Sequence, residues 1–264
     1  MWRAMKVTCQ NISKTYISRH GHVPALNRVS LECRDGEFLC IVGPSGCGKT
    51  TLLKIIAGLI EPTEGKFSLQ GNGASDLPAA AMVFQGHGLF PWMTIIDNIC
   101  YSLEAKKVPK NERYRSAEPL IEKIGLANFR KHYPHQLSEG MKQRAGLARA
   151  LVSGAGMLLM DEPFASLDAQ MRLVLQEQLI EVHSEFGKSV IYVTHDIEEA
   201  ILMGDRILLM THRPGYIKSE IKIDLPRPRD KQGVFAGEIV RIKNEIWSQI
   251  KEEVQKSMEL PYEP

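Results

Sequence analysis

Several features are scarce in this sequence, and each scarcity excludes something. No apolar run approaches the roughly 20 residues that a bilayer-spanning helix needs, so no transmembrane segment is expected. The opening stretch, MWRAMKVTCQ, lacks the apolar core of a secretory signal. The cysteines (Cys9, Cys33, Cys40, Cys47 and Cys100) are odd in number and form no CxxC pair. That spacing argues against a disulfide framework or a zinc site and for reduced thiols in a cytoplasmic protein. An excess of one charge is missing too: 33 Lys and Arg stand against 31 Asp and Glu. Nucleic acid as main partner usually demands a strongly basic face, so it is not expected. Internal repeats and low-complexity tracts are absent.

What is present is a chain of 264 residues, enough for one large domain or two small ones. Short β-rich runs alternate with helical patterns. FLCIV (38–42), AAMVF (80–84), MLLM (157–160), SVIYV (189–193) and RILLM (206–210) read as buried strands. Strands separated by helices predict an α/β domain with a mainly parallel sheet. The stretch up to about Asp35 alternates more like antiparallel strands. The segment from about Gly86 to Arg144 has almost no strand signal, and Pro91, Pro109, Pro119, Gly125 and Pro134 break its helices. It reads as a helical insertion. Ile239, Ile242, Ile246, Ile250 and Val254 fall at helical spacing and mark an amphipathic final helix whose apolar face packs on the core.

GPSGCGKTT, Gly43 to Thr51, fits G-x-x-x-x-G-K-[ST] between a strand and a helical run. The residues are Gly43, Pro44, Ser45, Gly46, Cys47, Gly48, Lys49, Thr50 and Thr51. The glycines let backbone N–H groups close around phosphate oxygens, Lys49 supplies a charge for the β- and γ-phosphates, and the Thr50 hydroxyl can ligate Mg²⁺.

In a parallel α/β sheet, ligands gather at the carboxyl ends of the strands. MLLM ends in Asp161-Glu162. Asp161 is suited to hold Mg²⁺, directly or through water, and Glu162 to polarise an attacking water. AAMVF ends in Gln85, which can touch both metal and water. SVIYV ends in Thr194-His195, and His195 can bond a γ-phosphate and the water. Farther along, HQLSEGMKQR (135–144) opens an apolar-periodic helix with Ser138 as its N-cap, and such an N-terminus is an anion site.

With these motifs in this order, nearly the whole chain resembles the nucleotide-binding subunit of an ABC transporter. Gly43–Thr51 resembles the Walker A loop, MLLMDEP the Walker B strand, Gln85 the Q-loop glutamine and His195 the switch histidine. SLD (166–168), with Asp168, resembles the D-loop. LSEGM (137–141) falls at the family signature usually written LSGGQ, with Glu139 for the first Gly and Met141 for Gln. Tyr16 sits where the family stacks an aromatic ring on adenine, and Val23 flanks it.

The resemblance implies a P-loop NTPase (RecA-like) α/β core with a mainly parallel sheet, an N-terminal antiparallel β-subdomain and an inserted α-helical subdomain. One nucleotide-binding domain would span 1–264, with its core at about 1–85 and 145–225, its helical subdomain at about 86–144 and a C-terminal helical extension at about 230–258. ATP and Mg²⁺ are the implied ligands. The implied partner is a second nucleotide-binding subunit, most simply a second copy. In the family two such subunits pair head to tail, so Ser138 and Gly140 of one would bond the γ-phosphate held by the other. Glu139 lies near that phosphate-rich place, and its side chain is expected to point outward.

GHGLFPWMTIIDNI (86–99) places Leu89, Phe90, Trp92 and Met93 together, where the family receives the coupling helices of its permease subunits. LFPWMTIIDN, LSEGMKQR, HRPGYI and LPRPRD resemble the variants found in nitrate, sulfonate and taurine importers. That group implies a peripheral location on the cytoplasmic face of the inner membrane and, indirectly, a separate solute-binding protein. Nitrate, taurine, aliphatic sulfonates, bicarbonate and pyrimidine precursors all stay open as solutes. The competing class is a soluble ABC-type ATPase acting on nucleic acid or ribosomes. Such proteins usually carry paired cassettes, coiled-coil insertions or basic extensions, and none is seen here.

Overall fold

Every consecutive apolar run read above forms a strand in the computed structural model, which describes residues 5–18, 21–71, 79–229 and 233–259. In chain order the elements are β1 (Lys6–Ser18), β2 (Gly21–Cys33), β3 (Phe38–Val42), α1 (Lys49–Ile56), β4 (Glu64–Gln70), β5 (Ala80–Val83), α2 (Ile95–Ala105), α3 (Lys110–Lys123), α4 (Glu139–Val152), β6 (Met157–Asp161), α5 (Ala169–Phe186), β7 (Ser189–Thr194), α6 (Ile197–Met203), β8 (Arg206–Met210), β9 (Ile217–Lys222) and α7 (Ala236–Glu259). No described helix is long and apolar enough to cross a membrane. All five cysteines are buried free thiols.

The chain divides into two compact units. One holds residues 5–70 and those from 189 onward. Its first sheet is antiparallel, in the order β2-β1-β4, as the N-terminal alternation predicts. Its second is mixed: β3 lies between β7 and β8, parallel to both, and β9 closes the β8 side antiparallel. β3, β7 and β8 are buried along their whole length, which is why they read as continuous apolar runs rather than alternating ones. β4 and β9 are half-exposed and polar, and no apolar run announces them.

The other unit holds residues 71–188. It contains the parallel pair β5–β6 and the helices α2 to α5. Pro119 does not break its helix but lies inside α3. The hydrogen bond that Pro119 cannot donate would reach the carbonyl of Arg115, and both residues are exposed. Water can satisfy that carbonyl, so the cost is modest.

In α7, Ile239, Ile242, Ile246 and Ile250 are buried as their spacing predicts. Val254 is only half-buried, and Glu253 beside it takes the inward position. Of LPRPRD, Asp230 lies outside the described residues. Arg229 donates to the carbonyls of Ile201 and Gly204, both at 2.6 Å, and so closes the end of α6.

Candidate active site

The phosphate-binding loop leaves β3 after Val42 and ends where α1 begins. Two of its glycines are needed for close approach. A Cβ on Gly43 would lie 3.0 Å from Cys47 Sγ and from the Met210 carbonyl oxygen. A Cβ on Gly48, whose φ is +106°, would lie 2.7 Å from the Ala25 carbonyl oxygen and from Leu26 Cδ2. Gly48 then serves as the N-cap of α1, with no side-chain cap and no acid in the first turn. The cap residue therefore supplies no side-chain acceptor to that turn, as a helix start suited to an anion requires.

Lys49 is buried, and its Nζ donates to the carbonyls of Gly43 and Pro44, both at 2.9 Å. The ammonium thus bridges the loop it belongs to. Ser45, Gly46 and Thr50 are exposed, while Pro44 and Cys47 are buried. Burial pushes the Cys47 thiol up, which keeps it protonated and unreactive.

Tyr16 pairs with Val23 across β1 and β2. Its hydroxyl is 3.3 Å from Thr51 Oγ1, and Lys14 Nζ lies 5.5 Å from its ring centre. The ring is 40% exposed, which leaves a face for a flat partner. The register Val42↔Thr194 sets β3 and β7 level at their carboxyl ends. Gly43 and His195 therefore begin side by side. The turn at His195 is fixed by Asp196, which accepts from the N–H groups of Glu198 and Glu199 and donates its own N–H to Thr194 Oγ1 at 2.9 Å.

The second unit carries the acidic groups. Asp161 ends β6 and is buried. Glu162 follows with φ +44°, a left-handed conformation that costs a non-glycine residue about 1–3 kcal/mol. Strain of this kind re-aims a side chain at the end of a strand. The register Val83↔Met160 puts Phe84 level with Asp161, so exposed Gln85 lies one residue beyond.

Ser138 is the N-cap of α4 and accepts from Met141 N at 3.4 Å. Glu139 is exposed and its carboxylate accepts from Lys142 Nζ at 2.8 Å, a bond that holds the carboxyl below its ordinary range. Its side chain points outward, as expected. A Cβ on Gly140 would lie 2.9 Å from Met171 Cγ, so this helix start packs against the start of α5. Asp168 caps α5, accepting from the N–H groups of Gln170 and Met171 at 3.1 and 2.9 Å.

Three residues on one face of α4 escaped the sequence reading. Gln143 Nε2 donates to the Gln85 carbonyl at 3.2 Å. Arg149 donates to the carbonyls of Gly88 and His87 at 2.8 and 3.2 Å. Gly146 lets the His87 carbonyl come within 3.1 Å of where its Cβ would be. A glycine inside a helical pattern was the only available signal. Past this anchored backbone, Leu89 is buried and Trp92 is 72% exposed, its ring 5.5 Å from that of Phe90.

Among the described residues no group of three or more His, Cys, Asp or Glu could hold a metal ion. The Thr50 hydroxyl in one unit, and the Gln85 amide and Asp161 carboxylate in the other, are each hard oxygen donors of the kind Mg²⁺ takes.

A family model described as ABC transporter matches residues 26–165. A nitrate import ATP-binding protein of Synechocystis sp. is 39% identical over 84% of this chain and 84% of its own length. A taurine import ATP-binding protein of Roseobacter denitrificans is 38% identical over 96% of this chain and 98% of its own. Among solved structures, a dimeric, post-hydrolysis ATP-binding cassette bound to ADP and Pi superimposes with a TM-score of 0.73. It is 32% identical and covers 83% of this chain and 100% of its own.

Proposed function

This chain belongs to the ABC transporter family as an ATP-binding, ATP-hydrolysing cassette, and from that premise we propose that it drives import of a small solute through separate permease subunits. The observation that carries the reading is the loop itself: an uncapped helix start behind Gly48, with the Lys49 ammonium held over it by two carbonyls. That arrangement suits a phosphate chain, which takes over Lys49 from weaker acceptors.

In this proposal Tyr16 stacks on the adenine, and the backbone from Gly43 to Thr51 cradles the phosphates. Thr50, Asp161 and Gln85 would hold Mg²⁺, which would supply positive charge against the phosphate oxygens. Glu162 accepts the proton of the attacking water. His195 donates to the γ-phosphate and orients the water. Ser138 and Gly140 of a second copy would bond the γ-phosphate, with Asp168 at the same junction. The relative solved as a dimer with ADP and Pi supports pairing.

The whole span 1–264 would act as one nucleotide-binding domain, with 86–144 as its helical subdomain and the C-terminal helix as an extension. Exposed Trp92 beside Phe90 would receive a permease at the cytoplasmic face of the membrane. The relatives named for nitrate and for taurine both act on small solutes with a compact oxyanion group. We infer a solute of that class, delivered by a separate binding protein.

The test is a tagged pull-down from detergent-solubilised native membranes, followed by uptake assays with nitrate, taurine and aliphatic sulfonates. Co-purification of a polytopic membrane protein and uptake of one of these solutes are the expected results. Capture of ribosomes or nucleic acid alone would overturn the importer reading and leave the ATPase attached to another machine.

A further inference from the structure

The motif HRPGYI (212–217) has no role in the mechanism above, yet it presses on the phosphate-binding loop from behind. A Cβ on Gly215 would lie 2.1 Å from the Cys47 carbonyl oxygen and 3.2 Å from its carbon. No side chain fits there unless the Cys47 backbone moves. Gly215 is also tied to β2: its N–H donates to the Ala25 carbonyl, and its carbonyl accepts from Asn27 N–H, both at 3.0 Å. Ala25 and Leu26 are the same residues that Gly48 approaches. β2 and Gly215 thus make one floor under the second half of the loop.

The other end of the motif is anchored on α7. Glu253 is buried, only 4% exposed. Its Oε2 accepts from the His212 backbone N–H at 3.2 Å and contacts His212 Nδ1 at 2.6 Å. Its Oε1 accepts from Lys218 Nζ at 2.8 Å, and that ammonium also reaches the Gln249 carbonyl at 2.9 Å. Burial alone would raise the Glu253 carboxyl, but the bonds from Lys218 and His212 outweigh it and hold it at about 2. Between the two ends the turn is closed by Thr211: its N–H donates to the Tyr216 carbonyl at 3.0 Å, and Tyr216 N–H donates to Thr211 Oγ1 at 3.1 Å. A buried carboxylate with three partners is a costly thing to place on an apolar helix face unless it fixes something.

We propose that the His212–Tyr216 loop is a strut, through which Glu253 of the C-terminal helix sets the height of the phosphate-binding loop and so the affinity for nucleotide. Gly215 and Glu253 are positioning residues in this scheme and touch no reacting atom. The scheme rests on the reading of Gly43–Thr51 as the ATP cradle.

The experiment uses the full-length chain, with equilibrium binding of trinitrophenyl-ATP and steady-state ATPase kinetics. Gly215→Ala, Glu253→Gln and Arg241→Ala are compared, the last removing an exposed ion pair on α7. Loss of one hydrogen bond to a charged phosphate costs roughly ten- to a hundredfold in binding. Gly215→Ala should therefore weaken nucleotide binding about ten- to a hundredfold and raise KM in step. Glu253→Gln should weaken binding by about three- to tenfold, and kcat at saturating ATP should stay within about threefold in both variants. Arg241→Ala should change neither quantity. If Gly215→Ala does not fold, Glu253→Gln decides. Folded variants with lowered thermal stability but unchanged nucleotide affinity would overturn the strut, as would a fall in kcat with KM unchanged. A wild-type chain that binds no nucleotide would overturn the cradle reading first and the strut with it.

Discussion

Two helix starts in this molecule belong to the proposed chemistry, and they are built in opposite ways. α1 begins at Lys49 behind a left-handed glycine, with no side-chain cap, no acid in its first turn and a buried ammonium beside it. α4 begins at Glu139 behind Ser138, whose hydroxyl accepts from Met141 N–H, and its first turn carries a carboxylate bonded to Lys142. The backbone dipole is the same at both. At α1 the cap residue offers no side-chain acceptor and the chain adds a cation; at α4 a side chain caps the turn from within. The contrast supports α1 as the primary site in the proposed phosphate binding. Ser138 still has its own hydroxyl proton to donate while it caps, which suits a second, facultative contact.

The largest expected effect separates binding from turnover. Glu162→Gln should cut phosphate release about 10²–10⁴-fold, the range for loss of a general base, while equilibrium ATP binding at the α1 cradle persists. Retained turnover would remove Glu162 from that role. Next is the cradle's cation. Lys49→Ala should weaken ATP binding roughly ten- to a hundredfold, since hydrogen bonds to charged groups are worth about 1.5–3 kcal/mol. An unchanged dissociation constant would erase the asymmetry between the two helix starts.

Gly48→Ala should destabilise the folded chain by about 1–3 kcal/mol through its backbone conformation, and more than Gly46→Ala does. Gly46 shares a positive φ but faces open space. Equal losses in denaturant titrations would show that the contact with β2 carries no weight. At α4, Ser138→Ala should cost about 1 kcal/mol, the usual worth of a cap, and leave ATP binding by an isolated subunit as it was. The smallest effect belongs to Glu139→Gly. An exposed charge at a helix end is worth only about 0.3–1 kcal/mol, so ATPase activity should change less than about threefold. A larger gain would mean that the Glu139 charge restrains activity despite its bond to Lys142.

The contrast also shows which parts were legible beforehand. Phe84, Met160 and Val193 end runs of apolar residues, so the polar residues after them could be placed at strand ends by counting. Ser138 could be named a cap because a cap is a local bond between neighbours. Pro119 and Val254 went differently from their local signals. The environment settled both: exposure of Pro119 and Arg115 to solvent in one case, and the pull of His212 and Lys218 on Glu253 in the other. β4 and β9 carried no signal because each buries too little to need an apolar run.

By itself the sequence determined the order of the buried strands and of the helical runs between them, the glycine-rich loop, the strand-end acids and amide and the capped start of α4. These follow from periodicity, glycine conformation and neighbours a few residues apart. Only the tertiary structure decided that Gln143, Gly146 and Arg149 would hold the backbone after Gln85, and that Gly215 would press against Cys47 while Glu253 anchors its loop. Such contacts join residues far apart in the chain through backbone carbonyls, and a carbonyl leaves no trace in the identity of the residue that bears it.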